Sequence, residues 1–368
     1  MAAPTIPKEM KALQLTALNT PYELRTVPVP QLVNPYDLLV KVAVASHCHT
    51  DTMVASGVFR SALPITGSHE GAGTVVAAGS SVTTFAVGDR VMCGLPLHPC
   101  GSCADCVGPN ENERQYCVHV AGHVGVHVDG CFAEYVRVDA RSTTPLPDAV
   151  SLLSAAPVAC AGRTIWRGVL QTALVPGEWV AIVGSGGGLG HLGVQFAKAR
   201  GLQVVGIDAR DEGLELSRTY GADAVVDARK GKADVVGAVQ AVTGGRGADA
   251  TIVISDADSA AALGAAVTKM HGTMVQIAQP TTVDIPFEEL VFRDIRIRGS
   301  LLCSPEESRG MLEAVANHGV VVKTNPFQGL EKIGELVELV KGGKIQGKAV
   351  IVVDPAQIEE DKKLGAKY

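Results

Sequence analysis

The chain has 368 residues and a formal net charge of −6; 46% of its residues are hydrophobic and only 4% aromatic. That length predicts two domains, and the acidic balance without basic or aromatic-rich runs argues against nucleic-acid partners. No signal-peptide pattern opens the sequence and no run of about 18 apolar residues occurs, so a cytoplasmic protein without membrane association is expected.

Up to about residue 160 the sequence reads as strands and turns. Residues 38–45, L-L-V-K-V-A-V-A, alternate around Lys41 as a half-buried strand would. Residues 73–78, 90–93 and 132–138 read similarly. Within this lobe, Cys100, Cys103 and Cys106 form two overlapping C-x-x-C pairs, with Cys117 following after ten intervening residues. Such spacing brings soft thiolates onto one tetrahedral zinc ion. Nine cysteines, an odd number, fit a reducing compartment better than a disulfide scaffold.

After Pro176-Gly177 the pattern changes. A short apolar strand at 179–183 leads into G-S-G-G-G-L-G at 184–190, followed by a helical stretch to Arg200 and a strand at 203–207. Further strands are expected at 224–226, 251–254 and 273–277, alternating with helices as in a parallel sheet covered on both faces. Gly184, Gly186, Gly187, Gly188 and Gly190 let the backbone approach a pyrophosphate, which the helix N-terminus then holds. Asp208 closes the next strand, where a carboxylate accepts from an adenosine ribose and repels a 2′-phosphate. NAD(H) is therefore the expected cofactor, although Arg210 offers a grip for the phosphate of NADP(H). A helix at 333–341 and a strand at 349–353 close the chain, in a segment expected to return to the first lobe.

Cys48 in S-H-C-H-T-D, His69 in G-S-H-E-G-A-G and Cys160 in A-P-V-A-C-A-G offer two thiolates and an imidazole. Such a set would leave a fourth zinc position open for water or substrate. Spacing alone leaves Cys160 equally readable as a core thiol and His69 as a turn histidine.

These motifs, in this order and ahead of G-G-G-L-G, resemble the zinc-dependent alcohol dehydrogenases of the medium-chain dehydrogenase/reductase superfamily, in particular the tetrameric microbial type. The resemblance runs from about Met10 to Val353. It implies an α/β fold, with a GroES-like β-rich catalytic domain (1–160, with a return at 304–368) and a Rossmann doubly wound parallel sheet at 161–303. It further implies two zinc ions per chain: a catalytic one on Cys48, His69 and Cys160, and a structural one on Cys100, Cys103, Cys106 and Cys117. Glu70 would sit behind the catalytic zinc, and Asp51 would orient His69 through a hydrogen bond. His49 would face the cofactor pyrophosphate, Thr164 and Leu189 would pack near the nicotinamide, and Lys348 matches a phosphate-binding position. Thr50 would hold the substrate oxygen and pass its proton outward as zinc stabilises the alkoxide that releases hydride.

Three departures from the family pattern stand out. Met53 replaces the histidine that often ends the proton relay, leaving cofactor ribose, water or His49 to do so. The Cys106–Cys117 interval is ten residues where seven is usual, which admits Cys131 or His119 as substitute ligands. Phe59 and Leu95 stand where small-alcohol enzymes carry tryptophan, and Gln279 would add a polar contact, so bulkier secondary alcohols and ketones are the expected substrates. The resemblance also implies a homo-oligomer, tetramer or dimer. The competing readings are a zinc-free NADPH-dependent quinone or enone reductase, and a non-catalytic zinc-ribbon binding protein.

Overall fold

A computed structural model describes residues 5–367. The chain forms two compact units, one containing the residues up to Ala161 and from Cys303 onward, the other Gly162–Leu302.

The first unit is built on a seven-stranded sheet around strand Asp37–Ser46. On one side lies strand Glu70–Ala78, followed by Arg90–Met92 and Thr144–Pro145; on the other lie Lys348–Val352 and Thr324–Gln328. Tyr135–Asp139 also pairs with the first half of Asp37–Ser46. The last segment of the chain thus supplies a strand to the sheet of the first, with Ile351 opposite Ala45. A half-buried strand was expected at 38–45. Instead both faces are buried and only Lys41 is partly exposed, because the sheet is covered on each side and the Lys41 ammonium reaches Asp354 at 2.6 Å. The strand expected at 132–138 begins regularly only at Tyr135. Before it, the N–H groups of Cys131 and Phe132 donate to the carbonyls of Ser68 and Gly67, which bends the chain toward the start of strand Glu70–Ala78. Leu13, Val40, Val42, Phe132 and Ile351 share the core.

The second unit is a six-stranded sheet in the order Ala224–Asp227, Gln203–Asp208, Trp179–Val183, Ala248–Val253, Thr268–Gln276, Arg296–Gly299, every neighbouring pair parallel. The order reverses at Trp179–Val183, so the carboxyl end of that strand opens onto the crevice where doubly wound sheets bind nucleotides. Valines and isoleucines fill these strands because both faces are covered by helices. Among the described residues no helix is long and apolar enough to cross a membrane.

Helix Pro355–Leu364 is fastened to the first unit by one buried carboxylate. Asp361 accepts from the Leu152 N–H at the start of helix Leu152–Pro157 and pairs with Arg90 Nε at 2.6 Å. Both side chains are largely buried, so Asp361→Ala strands a buried guanidinium. A loss of about 3 kcal/mol is expected in urea unfolding of the purified protein.

Candidate active site

Three neighbouring strands bring the dispersed motif residues together. Ser46 at the end of Asp37–Ser46 pairs with Glu70 on one side and Val350 on the other. Cys48 lies just beyond that end as the N-cap of helix His49–Ala55, His69 immediately precedes strand Glu70–Ala78, and Lys348 opens strand Lys348–Val352. Cys160 comes from the π-helical turn Val158–Gly162. The ligand atoms of Cys48, His69, Glu70 and Cys160 all lie within 4.8 Å of one another.

The electrostatics of this cluster call for a cation. Cys160 donates toward Cys48, and that contact leads in driving the Cys48 thiol well below its ordinary value and the Cys160 thiol well above it. Burial would lower His69, but the Cys48 sulfur, Asp51 and Glu70 outweigh it and raise the imidazole to about 9. Neither ring nitrogen of His69 has a hydrogen-bond partner among the described residues, although the side chain is only 1% exposed. A buried imidazole left without partners beside two sulfurs suits a metal that prefers nitrogen and sulfur donors, and zinc is such a metal.

The structure corrects two expectations. Asp51 makes no hydrogen bond to the His69 ring. Its two oxygens accept from the Cys48 and Ser68 N–H groups, each at 2.8 Å, because these buried donors flank the two ligands and have first claim on a carboxylate at this helix start. Lys348, expected at a cofactor phosphate, is 5% exposed and lies 2.8 and 3.0 Å from the two oxygens of Glu70. Burial raises Glu70 to about 7 against the pull of Lys348. Burial works to lower Lys348, but Glu70 and Cys48 more than compensate and hold it above its ordinary value. The sequence signal was a lysine opening an otherwise apolar strand, K-A-V-I-V, which requires a buried counter-charge.

The other expected residues of this unit sit nearby. Thr50 Oγ1 is 3.8 Å from Cys48 Sγ, and His49 is exposed in the same helical turn. Leu95 is buried, and Phe59 is half-buried with its ring against His127.

Cys100, Cys103, Cys106 and Cys117 form a separate cluster around the short helix Ala104–Val107 and the 3-10 turn Glu111–Tyr116. Cys100 Sγ lies 3.6 Å from Cys117 Sγ and 3.9 Å from Cys106 Sγ. Four sulfurs each about 2.3 Å from one zinc ion stand about 3.8 Å apart, so the set fits a tetrahedral ion and not a disulfide. None of the nine cysteines forms a disulfide. Donation from Ser102 and Cys103 lowers Cys100 to about 5, whereas burial and the neighbouring sulfurs lift Cys106 to about 12. Cys131 lies elsewhere, buried beside Cys93, and His119 is outside the cluster.

In the second unit the glycine loop joins strand Trp179–Val183 to helix Gly190–Ala199. A Cβ on Gly186 would lie 2.0 Å from the Gly213 carbonyl oxygen, and one on Gly190 would lie 2.2 Å from that of Gly184. Only glycine permits this packing. Asp208, 5% exposed, accepts from the Gly186 N–H at 2.9 Å and the Arg210 N–H at 3.0 Å. Arg210 also donates to the Gly186 carbonyl at 3.3 Å. Leu189 caps the helix, Thr164 lies half-buried on helix Arg163–Gln171, and Gln279 is exposed beyond strand Thr268–Gln276.

Residues 34–148 match the alcohol dehydrogenase GroES-like domain, and residues 188–317 the zinc-binding dehydrogenase domain. The chain is 34% identical to an alcohol dehydrogenase of Schizosaccharomyces pombe over 94% of its own length and 99% of the relative's. It is 34% identical to an alcohol dehydrogenase of Geobacillus stearothermophilus over 94% and 100%. The chain belongs to the zinc-dependent alcohol dehydrogenase family. Its fold is similar to the crystal structure of the alcohol dehydrogenase from Aeropyrum pernix, with a TM-score of 0.84 and 30% identity over 93% of this chain and 99% of that one. Membership makes it an oxidoreductase with zinc and a nicotinamide nucleotide as cofactors.

In this dehydrogenase the Glu70–Lys348 pair is nearly inaccessible to water. Lys348→Met leaves an unpaired buried carboxylate and is expected to lower stability by about 3–5 kcal/mol. Adding Glu70→Gln removes the orphaned charge and recovers much of that loss, as a double-mutant cycle followed by urea unfolding will show.

Proposed function

We propose that this chain is an NAD-dependent zinc alcohol dehydrogenase and carbonyl reductase acting on secondary or bulky alcohols and the matching ketones. The convergence of Cys48, His69 and Cys160 carries the reading: two sulfurs and an unpartnered imidazole supply three ligands and leave one position open. When bound, the zinc supplies Lewis acidity toward a substrate oxygen, and the nicotinamide supplies a two-electron acceptor.

The chain's own residues do the rest. The Thr50 hydroxyl takes the proton of the substrate hydroxyl, and exposed His49 in the same turn passes it to solvent, since the Met53 thioether is no base. Asp51 is a positioning residue that fixes the backbone at both Cys48 and His69. Glu70 stands beside the ligands, restrained by Lys348 and available to approach the metal when substrate is absent. The four-cysteine lobe holds a second, structural zinc. In the nucleotide-binding unit, Asp208 faces the adenosine ribose with Leu189 and Thr164 toward the nicotinamide. The engagement of Arg210 with Gly186 and Asp208 supports NAD over NADP. Phe59, Leu95 and Gln279 shape the substrate site, and the smaller walls at the first two positions favour bulk. Cysteines that form no disulfide support a cytoplasmic setting, and family resemblance supports a homotetramer or dimer.

Metal analysis should find two zinc ions per chain. His69→Ala should retain one and lower kcat/KM for a bulky secondary alcohol at least about a thousandfold. A chain without zinc that still reduced enones would belong to the zinc-free reductases instead, and a strong preference for ethanol would refute the assignment of bulky substrates.

Cofactor choice is tested separately. Asp208→Ala should cut kcat/KM for NAD about tenfold or more and raise that for NADP. An unchanged NAD/NADP ratio would remove Asp208 from cofactor selection.

A further inference from the structure

A cavity of about 640 Å³ lies in the first unit, walled by the antiparallel pair Glu9–Leu15 and Glu23–Pro28 and by strand Tyr135–Asp139. Strand register explains what faces it. Met10 pairs with Val27, and Gln14, four residues on, falls on the same face as Met10. Tyr135 and Arg137 share a face of their own strand, where Arg137 stands opposite Leu39. Met10, Val27, Val29, Leu39 and Tyr135 belong to one apolar cluster, so Arg137 is set beside hydrocarbon. Ile65 and Leu97 extend the apolar wall, and none of the residues converging as zinc ligands lines the cavity.

The polar groups on these walls are few and largely unsatisfied. Arg137 is half-buried, and among the described residues only its Nη1 finds a partner, the Gln31 carbonyl at 3.0 Å. Its Nε is buried without one, and no carboxylate pairs with the charge. The buried arginines elsewhere in this sheet are paired: Arg90 holds Asp361 and Arg141 holds Asp139. Gln14 is 8% exposed, and its amide makes no hydrogen bond among the described residues. Asp129, the one carboxylate on the walls, is exposed and accepts the Thr66 N–H at 2.8 Å. A guanidinium held partly out of water without a counter-ion is costly, and its planar donors match a carboxylate. A single such charge suits a monoanion better than a phosphate dianion. The apolar walls call for hydrocarbon behind that anion, and the volume is that of a small-molecule site.

We propose that this cavity is a second ligand site, which takes a monocarboxylate with an apolar body, such as a medium-chain or arylalkyl acid. The carboxylate pairs with Arg137, and the hydrocarbon lies along Met10, Val27, Val29 and Ile65.

Isothermal titration calorimetry with sodium decanoate tests this in the zinc-loaded wild type, Arg137→Leu, Arg137→Lys and His69→Ala. One decanoate per chain should bind the wild type and still bind His69→Ala, which separates the cavity from the zinc cleft. Its affinity should fall up to about fourfold for each methylene removed from the acid. Arg137→Leu should weaken it at least about tenfold, and Arg137→Lys, which keeps the charge but not the fork, by less. Zinc content and thermal midpoint serve as folding controls. No binding to the wild type at millimolar decanoate overturns the proposal without any variant, as does equal affinity in Arg137→Leu. Binding lost in His69→Ala but kept in Arg137→Leu overturns it by giving the acid to the zinc cleft. A wild type that binds no acid, with Arg137→Leu altering the oligomeric state, overturns it by giving the cavity to a second copy of the chain.

Discussion

Two sulfurs, an imidazole and a carboxylate packed within 4.8 Å of one another, all buried except half-buried Cys160, make a site that calls for positive charge beside it. Desolvating an anion costs several kcal/mol even after relaxation, and only close opposite charge offsets that. Two sources of charge are present in the protein itself. Lys348 lies against Glu70, and His69 is drawn toward its protonated form by the Cys48 sulfur. Cys48, His69 and Cys160 would hold a zinc ion that takes over the role of the His69 proton, with the lysine still against Glu70. The lysine balances the carboxylate and the metal balances the thiolates, so Glu70 stands near the ligands without being required as one.

This balance depends on where strands end. Ligands from residues 48, 69 and 160 meet because the strand ending at Ser46 pairs with Glu70, and the lysine arrives because a strand from the end of the chain lies on the other side. Asp51 then ties the two ligand segments to each other through their backbones, with one oxygen for the Cys48 N–H and one for the Ser68 N–H. A carboxylate fixing two backbone positions locks the spacing between sulfur and imidazole. A bond to the ring would have fixed only the orientation of the imidazole.

How much of this was legible in the sequence follows the range of the interactions. The four-cysteine lobe and the glycine loop are local, so their spacings carried their meaning, and Asp208 could be found by counting from the loop. The parallel sheet was legible in outline because alternating strands and helices admit few arrangements. Its strand ends were not, since Ala248–Val253 and Thr268–Gln276 extend by pairing with neighbours that the sequence does not reveal. The Cys48, His69 and Cys160 set needed the family resemblance, because only strand pairing brings those positions together. The partners of Asp51 and Lys348 were misjudged for the same reason: a side chain chooses among neighbours supplied by other strands. The burial of both faces of Asp37–Ser46 was hidden too, because Lys41 mimicked a solvent-facing position while pairing with Asp354.

The enlarged interval between Cys106 and Cys117 shows how such a departure can be absorbed. The added residues do not displace Cys117, whose sulfur stays 3.6 Å from that of Cys100. The interval contains the turn Glu111–Tyr116, where Asn110 caps the start and Asn112 accepts from the hydroxyl of Ser304 at 2.6 Å. Ser304 is in turn the N-cap of helix Pro305–His318, closing a capping box with Glu307. The longer loop therefore has work of its own: it joins the thiolate cluster to the helix that begins where the chain re-enters the first unit. The hydrogen bond from Ser304 to Asn112 thus ties the four-sulfur lobe to the first residues of the returning segment.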